Sequence, residues 1–192
     1  MKKIWLRGLF LLPIIGTLSA CVAAVVVAGV AAGGLVINDS RSFKQMNTDA
    51  TIRRQAELQI ASRPAFKNSK ISIASYNQMV LLVGQTPKAS LRVTVEKLLL
   101  ADTKVKRVYN EITIAKPLPL SVQGKDTWIT SSVKAKMLTR SGLQSGSFNV
   151  LTEDGVVYLM GRVTHDQGNL AVDVARRIDG VKRVVKIFQY TD

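Results

Sequence analysis

From residue 49 onward the period of the hydrophobic positions changes in the same order twice. In the later half Ile129, Val133 and Met137 recur at four-residue spacing, which places them on one face of a helix. That helix is expected from Trp128 to about Arg140, with Asp126 or Thr127 as its cap and Ser141-Gly142 as its end. Short apolar runs at 148–151 and 156–163 predict two strands, joined by a hairpin turn at Glu153-Asp154-Gly155 where glycine can take positive φ. Leu170, Val174 and Ile178 then mark a helix over 169–178, Gly180 stops it, and 184–189 reads as a last strand. In the earlier half the corresponding segments are 52–62, 71–74, 79–84, 89–101 and 107–114, with Asn77 of Ser75-Tyr76-Asn77-Gln78 supplying the left-handed turn residue.

The correspondence is a repeat. Ile52 aligns with Ile129, Ile71 with Phe148, and Leu82-Val83-Gly84 with Leu159-Met160-Gly161, all at an offset of 77 residues. Val105 to Val108 then align with Val181 to Val184 at an offset of 76, as a one-residue loop deletion would produce. The predicted class is α+β: two tandem αββαβ units, each a three-stranded mixed sheet with both helices on one face. The strand–helix–strand half of each unit should be a parallel crossover. Units of this size lie near the lower limit of independent stability, so the halves are expected to pack on each other or on a membrane.

The amino terminus reads differently. Lys2, Lys3 and Arg7 precede an apolar run from Leu9 to Ile15 and then Leu18-Ser19-Ala20-Cys21, the order of an export signal. The last four residues resemble the lipobox of bacterial lipoproteins, in which Cys21 carries the lipid attachment and cleavage falls before it. The competing reading of the uncharged stretch between Arg7 and Asp39 is a membrane-spanning anchor, which Pro13 and the Gly/Ala-rich segment 23–34 oppose. Cys21 is the single cysteine, so no internal disulfide can form. Val22, rather than Asp, follows it, which in the enterobacterial sorting pattern favours the outer membrane, with the protein on the periplasmic face. The organisation expected is 1–20 signal peptide, 21–48 lipidated tether and spacer, 49–116 first domain, 117–124 linker and 125–192 second domain.

Charge narrows the choice of partners. Cleavage would remove three of the 27 basic residues, leaving 24 against 13 acidic ones and a net charge of +11. Such an excess attracts anionic polymers or anionic lipid head groups. Nucleic acid is not expected to meet an exported, lipid-tethered domain, so phospholipid, lipopolysaccharide or cell-wall phosphates fit better. Catalysis finds little support: His165 is the lone histidine, beside Asp166, and reads as a surface-loop residue. The carboxylates show no metal-ligand spacing. No enzyme activity, cofactor, metal or small-molecule substrate is expected.

The residues closing each second strand (Gly84, Gly161) and the turn Gly180-Val181-Lys182-Arg183-Val184 resemble the BON domain, an αββαβ module of bacterial exported and membrane proteins. The runs 81–87, 108–112, 126–130 and 158–161 further resemble the dual BON-domain outer-membrane lipoproteins of the division- and outer-membrane-stress-associated lipid-binding family. The resemblance implies a non-enzymatic protein whose second domain binds anionic phospholipid through its first helix and supports the outer-membrane barrier.

On that helix Trp128 lies about 100° from Ile129, and an indole favours a membrane interface because its ring is apolar while its N–H stays hydrogen-bonded. Lys134, Lys136 and Arg140 can reach phosphates, and Leu138 falls opposite the core face. These five residues are the candidate phospholipid site; the alternative is that Trp128 packs under a neighbour and the bases are a solvated face. Charge alone points elsewhere, since 49–116 holds 12 bases against 5 acids and 121–192 holds 10 against 7. A competing function is therefore a periplasmic interaction protein whose first domain docks on outer-membrane protein assembly machinery or on the cell wall.

Overall fold

The computed structural model describes residues 41–192; the export signal, Cys21 and the tether up to residue 40 lie outside the described residues. The first unit is built from α1 (Phe43–Ala61), β1 (Lys70–Tyr76), β2 (Met79–Thr86), α2 (Ala89–Leu100) and β3 (Arg107–Ile114). The second repeats the order as α3 (Leu120–Thr139), β4 (Phe148–Glu153), β5 (Val156–Val163), α4 (His165–Ala175) and β6 (Arg183–Tyr190). In each, the middle strand of the chain order is also central in the sheet. β2 pairs antiparallel with β1 and parallel with β3, and β5 pairs likewise with β4 and β6.

Alternation along these strands sorts the side chains between two cores. In the first unit Val80, Leu82, Ile73 and Ile112 point toward the helices and meet Ile52, Ala56, Val95 and Leu99. In the second, Val150, Val157 and Leu159 meet Ile129, Val133 and Met137 of α3 and Ala171 and Val174 of α4. The opposite faces of the two sheets bury each other: Tyr76, Met79, Leu81 and Val83 pack against Tyr158, Met160 and Ile187. This third core explains why every residue of β2 is buried. A strand with helices on one side and another sheet on the other has no wet face, so it reads as a continuous apolar run.

Polar groups pin the register of this sheet-on-sheet contact. Glu153, 5% exposed, accepts 2.8 Å hydrogen bonds from Lys70 Nζ and from Gln85 Nε2 of the other unit. Asn77 Nδ2 donates to Gln189 Oε1 across the same boundary. A buried carboxylate is tolerable only when so paired.

A second device occurs once per unit at the 77-residue offset. Asp49 of α1 accepts the backbone N–H groups of Asn77 and Gln78 at 2.8 Å each, while Asp126 of α3 accepts those of Asp154 and Gly155 at 2.8 Å each. Each pair is the centre of a hairpin turn with positive φ at both residues: 51° and 65° in the first unit, 49° and 72° in the second. That conformation turns both N–H groups to one side, and the helix supplies the acceptor. Asp126 is therefore a residue of the helix interior that clasps the turn, and not the cap of a helix starting at Trp128. The segment 117–124 holds the first turn of α3, with Pro119 at its start.

Candidate functional site

The surface of interest is the outer side of α3. Its inner stripe, Ile129, Val133 and Met137, is at most 1% exposed, which fixes the rotation of the helix about its axis. At about 100° per residue, Leu120, Gly124, Trp128, Ser131 and Ala135 fall within a sector of roughly 80° directly opposite that stripe. All five are exposed, Leu120 at 83% and Trp128 at 53%. A Cβ built on Gly124 would meet nothing within 4 Å, so the backbone there is open to a large neighbour. None of the five carries a charge.

Lys134 flanks this stripe on one side, and Lys125 and Lys136 on the other; all three are exposed. Lys125 was not singled out from sequence, because it stood in what read as the run-up to the helix rather than within it. The other candidates separate. Arg140 is exposed but ends the helix in extended conformation, with ψ of 116°, so it leaves the wheel on which the helical reading placed it. Leu138 is half-buried and lines a cleft with Ser145, Gly146 and Phe148. By rotation about the axis it falls in line with Leu120, at the far end of the same face.

His165 opens α4 rather than sitting in a loop, behind Thr164, whose side chain caps the helix by accepting from Gln167 N at 3.3 Å. Its ring stacks on Tyr190 at 3.8 Å, and Nδ1 lies 2.9 Å from Asp192 Oδ1. These hydrogen bonds hold the Asp192 carboxyl below its usual range. The Tyr158 hydroxyl is pushed above the ordinary tyrosine range, chiefly by burial between the sheets. Among the described residues no three of His, Cys, Asp and Glu are grouped as metal ligands, and no helix is long and apolar enough to cross a membrane.

The BON domain family profile matches residues 48–116 and 125–192. The chain belongs to the BON-domain family. Outer membrane lipoprotein DolP of Haemophilus influenzae is 35% identical over 176 residues, 91% of each chain. The 21 kDa hemolysin of Actinobacillus pleuropneumoniae is 30% identical over 153 residues, 79% of each chain. Osmotically-inducible protein Y of Escherichia coli K12 is 28% identical over 156 residues, 80% of this chain and 78% of that one. The likeness to the first of these, nearly end to end, makes this BON-domain protein an outer-membrane lipoprotein, lipid-anchored and facing the periplasm.

Proposed function

We propose that this BON-domain lipoprotein is a non-enzymatic membrane-binding module that recognises anionic phospholipid through the outer face of α3 and so supports outer-membrane integrity. The observation that carries the reading is the uncharged stripe Leu120, Gly124, Trp128, Ser131 and Ala135, exposed along the helix and flanked by Lys125, Lys134 and Lys136. Trp128 enters the head-group region while the lysines reach phosphates, their stems covering apolar surface. Each basic contact near an anionic surface contributes about 1 kcal/mol, so binding through this face alone is reversible. Attachment at Cys21 supplies the other half. The segment between Cys21 and Phe43 spans at most about 75 Å, which keeps the domains near one surface and raises the effective concentration of head groups.

Sedimentation of the mature chain with phosphatidylglycerol vesicles, with and without Trp128→Glu, tests this. Loss of binding in the variant is expected; equal binding by both removes the site. A second reading, docking of the first domain on outer-membrane protein assembly machinery or the cell wall, draws on Val93 and Leu100, about half exposed on α2 beside Arg92 and Lys97. Crosslinking in cells that recovers only lipid from that surface sinks it.

A further inference from the structure

A cleft at the end of the first helix occurs once in each unit. In the first domain a cleft of about 560 Å³ opens between the last turn of α1 and β1, where Ile60, Ala61, Ile71 and Ile73 line it. In the second domain a cleft of about 270 Å³ opens at the same place, lined by Met137, Leu138, Phe148 and Val150. Each of these residues is the 77-residue partner of its counterpart, so the cleft is a property of the BON unit rather than an accident of one loop. The size difference follows from the side chains: Ala61 and Ile71 in the first domain stand where Leu138 and Phe148 fill the second.

The first cleft differs at its mouth as well. The segment after α1 makes a short turn, Pro64–Phe66, that buries Phe66 in the domain core and leaves Arg63 and Lys67 exposed on the rim. Glu57, the one acidic lining residue, pairs with Arg53 at 3.9 Å rather than with the rim bases. An apolar floor under two cationic side chains is complementary to one aliphatic chain ending in one negative charge. The volume falls in the range of about 300–1,000 Å³ typical of small-ligand sites.

We infer that the cleft between α1 and β1 of the first domain binds a monomeric fatty acid, with its tail along Ile60, Ile71 and Ile73 and its carboxylate at Arg63 and Lys67. In the second domain Leu138 and Phe148 occupy the space of the tail, so that cleft is too small for the same ligand. The site is separate from the proposed phospholipid face of α3 and stands or falls without it.

The test is a fluorescence titration of the unlipidated mature chain with cis-parinaric acid below its micellar concentration, run in wild type and in Trp128→Glu. Saturation at one ligand per chain is expected in both, with decanoate and dodecanoate as competitors that gain roughly threefold to fourfold per added methylene and with decanol weaker than decanoate. Ala61→Trp, at an exposed position on the cleft wall, should weaken binding at least tenfold. Arg63→Glu combined with Lys67→Glu should do the same while leaving the core untouched. Absence of saturable binding, unchanged affinity in either cleft variant, or loss of binding in Trp128→Glu overturns the assignment.

Discussion

The clasp between helix and hairpin turn has a measurable worth. Asp126→Ala removes two hydrogen bonds to a carboxylate, each 2.8 Å long, from a residue 5% exposed. Hydrogen bonds to charged groups contribute about 1.5–3 kcal/mol each, and the buried N–H of Gly155 loses its acceptor as well. Relief of the carboxylate's own desolvation offsets part of this, so the expected loss is about 3 kcal/mol. With a urea m-value of about 2 kcal/mol/M the unfolding midpoint should fall by about 1.5 M. Asp126→Asn keeps one acceptor and turns an amide N–H toward the other donor, so it should fall between wild type and Ala. Asp49→Ala should cost more than Asp126→Ala, because Asp49 also accepts from Ser75 Oγ and Arg41, each at 3.0 Å. Urea unfolding of the mature chain followed by far-UV circular dichroism gives all three. A loss below about 1 kcal/mol for Asp126→Ala, or an Asn variant no better than Ala, refutes the clasp as a stabilising element.

Three further outcomes follow from the packing. Gly84→Ala places a Cβ 2.0 Å from the carbonyl oxygen of Lys70 at φ of 122°; the backbone must shift, and thermal unfolding should show a loss above about 3 kcal/mol, larger than for Gly161→Ala, where the nearest atom is at 2.8 Å. Glu153→Ala leaves Lys70 and Gln85 without their acceptor between the sheets and should cost about 2–4 kcal/mol, read by chemical denaturation; a neutral result refutes the pinning role. The Asp192 carboxyl is held below its ordinary range by His165, so this contact stabilises the docked carboxyl terminus above the ordinary carboxylate pKa and is lost as pH falls through the lowered value. Amide signals of residues 190–192 followed by NMR on acidification should show release there, and no change on acidification contradicts it.

Much of this architecture was legible in the chain because apolar periodicity carries it. β3 and β5 were read with their observed bounds, and the repeat located both turns. Helix starts were less legible, for identifiable reasons. α1 begins at Phe43, where Ser42 accepts from Gln45 N at 3.2 Å, nine residues before the first large core residue, Ile52. α4 begins at His165 and contains Gly168, which reads as a breaker, yet a Cβ there would meet the Phe188 ring at 3.0 Å. α3 was shortened because Gly124 and Asp126 look like linker and cap, whereas Asp126 serves a turn 28 residues away. The same shortening left out two of the five residues of the outer stripe: Trp128 was read as a candidate anchor, but Leu120, Gly124 and the flanking Lys125 lay outside the helix as first drawn. The mutual burial of the sheets was left open, since an apolar run does not say what covers its second face.

Trp128 is the only tryptophan left in the mature chain once Trp5 is removed with the signal, so its emission reports on α3 directly. The unlipidated mature chain should show a blue-shifted spectrum with phosphatidylglycerol vesicles, quenching by phosphatidylglycerol brominated along its acyl chains, and neither effect with phosphatidylcholine. Co-sedimentation with the anionic vesicles while Trp128 emission stays unshifted and unquenched would contradict the account, because the membrane would then be bound by some other face.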